Sequence, residues 1–237
     1  MRLATTYGTF RPTGLAYLSQ YDLTHSLAFR RAVASKVRTP PSPAFSAEYL
    51  PTPERVGIIA SLSYARSILD LGCGEGTYIT YLRKKTELLV GVDKSRERCL
   101  KAHRLGYDII QADASTLPFT EGAFNTTWAC EIIEHTPSLS VFNEIERVTE
   151  SEIIATMPNP HGPYYWMDSE HILRYNFRDL KGFLSSRKNW RYEIHGLGLT
   201  MPFKSIASIL ILIARLTCGF PRIALTILIR GVRNRGM

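Results

Sequence analysis

Two groups of residues in this chain have the types and spacing to do chemistry. The first is Asp70-Leu71-Gly72-Cys73-Gly74-Glu75-Gly76-Thr77, an acid followed by three alternating glycines. Glycines are needed where backbone turns tightly and comes close to a ligand. Such a turn delivers the chain to a helix N-terminus, whose free N–H groups point outward. It is not a nicotinamide-type fingerprint: counted from Gly72, G-x-G-x-x-G needs glycine where the chain has Thr77. The second group is Cys130-Glu131-Ile132-Ile133-Glu134-His135, an E-x-x-E-H pattern. Two carboxylates and an imidazole can bind a divalent ion, or the imidazole can act as a general base. Further on, Pro158–Trp166 is rich in Pro, Gly and aromatic residues, and Asp168-Ser169-Glu170-His171 follows it. Residues 158–176 read as the lid or wall of a binding site. His171 would then join His135 in a polar centre, its plainer role being to cap the next helix.

These groups need a scaffold, and the hydrophobic pattern supplies one. Residues 14–37 read as an amphipathic helix with a basic end, and Arg38–Pro43 as a stiff proline linker. Thr52-Pro53-Glu54 is a helix start, with Thr as N-cap and Pro at the first position, and that helix runs to about Ser61. Strands are expected at Ser67–Leu71, Leu88–Asp93, Asp108–Ala112, Phe124–Cys130, Ile153–Met157 and Trp190–His195. Helices are expected at Thr77–Lys85, Ser95–Leu105, Pro137–Val148 and Phe177–Ser185. This alternation implies an α/β fold with a parallel sheet covered on both faces. Ligands of such sheets lie at the C-terminal ends of the strands, which is where Asp70, Asp93 and Asp113 fall. Phe203–Cys218 reads as a helix. Arg222–Arg230 alternates as a strand, with Ile223, Leu225, Ile227 and Ile229 on one face, yet Arg222, Thr226 and Arg230 also recur every four residues, which suits a helix.

The chain has 237 residues, 45% of them hydrophobic, which excludes wholesale disorder and suits one decorated domain. The net charge of +8 is unevenly placed. Residues 1–66 hold 8 basic and 3 acidic side chains, residues 67–157 hold 9 and 14, and residues 158–237 hold 12 and 4. An acidic centre thus lies between basic flanks. The four cysteines form no C-x-x-C pair and sit near no histidine at finger spacing. That argues against a disulfide framework or structural zinc and for a reducing, cytoplasmic compartment. The N-terminus lacks the apolar run of a signal peptide, and no stretch reaches the ~18 apolar residues of a spanning helix.

The glycine turn, Gly91-Val92-Asp93, Gln111-Ala112-Asp113-Ala114 and Cys130–His135 occur in order at successive strand ends. In this the chain resembles the class I S-adenosylmethionine-dependent methyltransferases, most narrowly the small type 11 group, over roughly residues 50–200. The resemblance implies a Rossmann-like three-layer α/β/α fold, mostly parallel, with an antiparallel last strand between strands five and six. It implies domain limits of 1–50 for an N-terminal extension, 51–200 for the cofactor-binding domain and 201–237 for a basic apolar tail. It implies S-adenosyl-L-methionine as cofactor, held by Asp70, Gly72, Cys73, Gly74, Gly76, Asp93, Lys94, Asp113, Ala114 and Glu131. By the same resemblance Asp70 holds the loop and the cofactor ammonium, and Asp93 accepts both ribose hydroxyls. Asp113 then takes the adenine amino group, with the Ala114 N–H opposite a ring nitrogen.

Glu134, His135 and His171 are the expected catalytic residues, placed over the cofactor's methyl group. Plant small-RNA 2′-O-methyltransferases and ubiquinone-pathway O-methyltransferases use metal with a similar E-x-x-E-H. The wider family carries E-H without metal, and no residue is assigned to a metal here. The N/D-P-P-Y/F motif of base and amide N-methylating relatives is absent, which favours oxygen in a small, glycan-like or lipid-linked acceptor. After Glu193 the chain has no acid and six Lys/Arg beside the apolar run Ile206–Ala214. Residues 203–237 are therefore a candidate contact with the anionic inner face of a membrane. An RNA methyltransferase, favoured by pI ≈ 9.4, and a non-catalytic cofactor-binding scaffold are the alternatives. Nucleic acid is not the favoured partner.

Overall fold

A computed structural model describes residues 53–160, 165, 168–173, 175–197 and 226–234. Helix α1 spans Pro53–Ser61, as Thr52-Pro53-Glu54 predicts. Strand β1 (Ala65–Leu71) leads through the glycine turn to α2 (Ile79–Leu82) and a 3₁₀ turn, Arg83–Lys85. Then follow β2 (Thr86–Asp93), α3 (Arg96–Arg104), β3 (Ile109–Gln111) and β4 (Phe124–Cys130). A 3₁₀ turn at Ile133–His135 precedes α4 (Val141–Val148) and β5 (Thr149–Pro158). The remaining elements are α5 (Phe177–Ser185), β6 (Trp190–Leu197) and β7 (Thr226–Arg233).

The seven strands form one sheet in the order β3-β2-β1-β4-β5-β7-β6. β7 pairs antiparallel with both β5 and β6, and the other pairings are parallel. Alternation along β1 builds the layers. Ile68 packs with Ile59, Leu82 and Trp128 on one face, while Leu69 and Leu71 join Phe142, Ile145, Leu180 and Leu184 on the other. Both faces are therefore covered, and β1 reads as a continuous apolar run broken by one acid. The strand order reverses between β1 and β4. Such a switch point opens a crevice at the C-terminal strand ends, where the glycine turn and the segment after Cys130 lie.

Three helices depart from their expected limits for local reasons. The helix expected from Thr77 starts at Ile79, because the turn continues past Gly76, whose N–H donates to the Cys73 carbonyl at 2.9 Å. The helix expected from Pro137 starts at Val141. Ser138 and Ser140 instead bond side chain to side chain, and the Ser138 hydroxyl accepts from the Ser140 N–H at 3.2 Å, so local polar bonds compete with the helix. α3 begins one residue late because Ser95 caps it, accepting from the Arg98 N–H at 3.3 Å. The last strand is found where alternation places it, with Ile227 and Ile229 fully buried, and runs three residues beyond Arg230. The expected elements at 14–37 and 203–218, the Arg38–Pro43 linker and positions 222–225 lie outside the described residues.

Candidate active site

The turn after β1 is fastened to β2. The Gly72 and Cys73 N–H groups donate to the Val92 carbonyl at 2.8 and 3.0 Å. Asp93 then ties turn to helix: Oδ2 accepts from the Gly74 N–H at 2.9 Å and Oδ1 from the Ser95 N–H at 2.8 Å. Each carboxylate oxygen keeps acceptor capacity toward the cleft. Two of the three glycines have different jobs. A Cβ at Gly76, where φ is +96°, would sit 2.6 Å from the Tyr107 ring, so this glycine serves packing. Gly74, at φ +55°, has nothing within 4 Å of its Cβ position and lines the open cleft. Gly76→Ala is expected to destabilise the fold by about 3 kcal/mol, through the left-handed φ and the ring clash. Gly74→Ala should cost only about 1 kcal/mol of stability while weakening nucleoside binding more. Thermal melts beside calorimetry with S-adenosylhomocysteine check the contrast.

Asp70 is 2% exposed at the end of β1, and its Oδ2 has no hydrogen-bond partner. Burial, aided by the nearby Asp93 charge, pushes its carboxyl up to about 8. Asp113 is exposed. Its Oδ1 accepts from the Ser115 N–H and hydroxyl, bonds that lower its pKa. It lines a small cavity with Ala114, Val92 and Ile132, which shares Gly72, Asp93, Lys94 and His135 with the main cleft. Cys73 contributes backbone to the cleft. Its sulfur points toward Gly91 and is buried, which raises the thiol well above its ordinary value.

The segment after β4 forms the opposite wall. Glu131 adopts φ +52°, the one non-glycine positive φ among the described residues. Its Oε1 accepts from Arg55 Nη2 at 2.8 Å and from the Thr156 hydroxyl at 2.9 Å, while its N–H donates to the Thr156 carbonyl at 2.9 Å. Those bonds hold a conformation that costs about 1–3 kcal/mol. Glu134 is fully buried, and neither of its oxygens has a hydrogen-bond partner. Burial, then the charge of Glu131, raises its pKa well above the ordinary carboxylate range. His135 places Nδ1 3.1 Å from the Glu170 carbonyl, and burial lowers its pKa. His171 places Nδ1 2.8 Å from the Tyr165 carbonyl, and its ring meets that of His135 edge to face at 5.0 Å.

Most of these groups face one cleft of about 350 Å³, within the usual range of small-ligand sites. Residues 72–74, Asp93 and Lys94 lie on its lining, as do Glu131, Glu134, His135 and His171. Asp70, buried at the end of β1, and Gly76 are not on it, and Asp113 and Ala114 reach only the adjoining cavity. Three lining residues lie outside every motif of the sequence: Arg55, Tyr78 and Arg98. Arg55 comes from α1, ahead of every motif, and no sequence signal marks it. Much of the aromatic loop (161–164, 166, 167) lies outside the described residues.

Comparison with known proteins agrees with this architecture. A family model described as "Methyltransferase domain" matches residues 69–154, from β1 into β5. Residues 69–154 are thus a methyltransferase domain of the S-adenosylmethionine-dependent kind. The methyltransferase domain is 36% identical over 92 residues to a malonyl-[acyl-carrier protein] O-methyltransferase of Legionella pneumophila, covering 35% of this chain and 32% of that protein. It is 28% identical over 90 residues to a tRNA (carboxymethyluridine(34)-5-O)-methyltransferase of Xenopus tropicalis, covering 38% and 14%. The matched part thus spans a third or less of these two curated relatives. In fold it resembles a SAM-dependent methyltransferase from Archaeoglobus fulgidus, with TM-score 0.58 at 14% identity over 74% of this chain and 90% of that one. The cofactor of the family is S-adenosyl-L-methionine. Among the described residues no helix is long and apolar enough to cross a membrane.

Proposed function

We propose that this protein transfers a methyl group from S-adenosylmethionine to an oxygen of a small acceptor. The observation that carries the reading is one cleft, with a glycine turn and Asp93 on one wall and a Glu-His-His centre on the other. The first wall fits the cofactor. Asp70 Oδ2, buried without a partner, suits an ammonium, the open space over Gly74 admits ligand against backbone, and Asp93 has acceptor capacity for a ribose diol. The sulfonium supplies an activated methyl group. The chain's own task is then to align an acceptor in line with it and to help the acceptor lose its proton. Glu134, His135 and His171 take that task in this reading. Two relatives whose names specify O-methyl transfer support oxygen as the accepting atom.

A carbon-13 methyl-labelled cofactor incubated with fractionated extract tests this. Label is expected in a low-molecular-weight fraction, with a methyl resonance characteristic of O-attachment. His135→Ala should lower turnover about 10²–10⁴-fold, the usual size of an acid–base contribution, and leave S-adenosylhomocysteine affinity nearly unchanged. N-attached label, or label in the RNA fraction, would overturn the reading.

A further inference from the structure

We propose that Glu134, His135 and His171 hold a divalent transition-metal ion at the acceptor end of the cleft. One potential ligand atom from each lies within 4.8 Å of the other two. Glu134 is 0% exposed and both its oxygens lack a partner among the described residues, yet the residue lines the cleft. A carboxylate buried in that way is retained at a cost unless a counter-charge meets it. The two imidazoles are oriented as ligands are. Each Nδ1 faces a backbone carbonyl, Glu170 for His135 and Tyr165 for His171. A carbonyl only accepts, so each Nδ1 carries a proton, and Nε2 is the atom of each ring left to coordinate an ion. Metal-ligating histidines are fixed by this kind of bond on the other ring nitrogen.

Two further features converge. The Glu134 carbonyl accepts from the Ile172 and Leu173 N–H groups, both at 3.0 Å. The backbone itself therefore clamps the segment bearing His171 onto the one bearing Glu134. The Asp168 carboxylate lies 3.6 Å from His171 Nε2 and also lines the cleft. A lone pair and a carboxylate at that separation need a cation or a proton between them. The E-x-x-E-H spacing alone would have put Glu131 in the ligand set. The structure commits Glu131 to Arg55 and Thr156 and brings in His171, 36 positions after His135, instead.

Two nitrogen donors and one carboxylate favour Zn²⁺, Co²⁺ or Mn²⁺ over Mg²⁺, which prefers all-oxygen sites. The role of the ion rests on the methyl-transfer reading. An acceptor hydroxyl set against it would release its proton to solvent more readily, and the new O–C bond would form as the donor's S–C bond breaks.

Cobalt titration of the purified protein, read by visible d–d absorbance and equilibrium dialysis, tests the site. One equivalent of Co²⁺ is expected, with Glu134→Gln and His171→Ala each weakening it at least 100-fold. Both variants should keep S-adenosylhomocysteine affinity within about threefold, showing an intact fold. Equal cobalt binding by wild type and Glu134→Gln overturns the proposal, as does no binding by a wild-type protein that takes up the nucleoside. Normal cobalt binding with no nucleoside binding would uphold the ion and defeat the methyl-transfer reading.

Discussion

Asp93→Ala is expected to weaken S-adenosylhomocysteine binding about 10²–10³-fold, and calorimetry reads it directly. Two effects add. A carboxylate accepting two hydroxyls makes charge-assisted bonds worth about 1.5–3 kcal/mol each. The same carboxylate is the acceptor for the Gly74 and Ser95 N–H groups, at 2.9 and 2.8 Å. Removing it leaves the turn without the bond that sets its path, so the ligand must order the turn as it binds. Asp93→Asn separates the contributions. Its amide can keep one backbone bond but presents a donor to the other, and its affinity should fall between those of Ala and wild type. Equal affinity in wild type and Asp93→Ala would remove Asp93 from the cofactor site.

Asp70→Asn should raise the stability of the ligand-free protein at alkaline pH while lowering its cofactor affinity. The sign follows from linkage. The folded carboxyl titrates near 8 against an ordinary value of 3.8, so the folded state holds its proton more tightly than the unfolded state. Below the unfolded pKa both states are protonated and there is no penalty. As pH rises through the interval between the two values, the native state loses stability, on the order of 5 kcal/mol once both are passed. Asparagine keeps the shape and abolishes the titration, so melts of the variant should be flatter between about pH 5 and 9. A bound ammonium would favour the carboxylate form. Wild-type binding near pH 7 should therefore release a fraction of a proton, seen as a binding enthalpy that varies with buffer ionisation enthalpy. The variant should show no such dependence and about 100-fold weaker binding, from loss of one buried charged contact. Persistent proton release in Asp70→Asn would assign the titration to another group.

The residues that end strands were legible, because a buried parallel strand stopped by glycine or an acid leaves a clear trace. Asp70, Asp93 and the Glu131–His135 segment stand where the pattern put them. At Arg222–Arg230 alternation suited a strand and four-residue recurrence suited a helix, so the family resemblance had to choose, and the strand's true end was not legible. Gly231 looks like a stop, whereas the structure uses it to make room for the Tyr192 ring across the β6–β7 pair. Arg233 then anchors the strand by donating to the Glu146 and Thr149 carbonyls, both at 2.7 Å. Arg55 and the partnership of His135 with His171 were hidden for a different reason. Each depends on segments far apart in sequence meeting across the crevice, and spacing along one element carries no such information. The pairing of Glu131 with Arg55 rather than with Glu134's centre is of the same kind.

The position of β7 has a consequence for synthesis. Among the described residues β6 lies at the outer edge of the sheet with β7 as its one neighbour in the strand order, and 28 residues separate the end of β6 from the start of β7. Strands β1 to β5 can pair as they leave the ribosome, but β6 has nowhere to dock until residues 226–233 emerge and slide between it and β5. In that interval the newly made chain shows two open strand edges, one of them β5, whose Ile153–Met157 run is entirely buried in the finished sheet. Such edges invite pairing with other chains. The half-built protein is thus the form most exposed to aggregation and the one a chaperone would have most reason to hold.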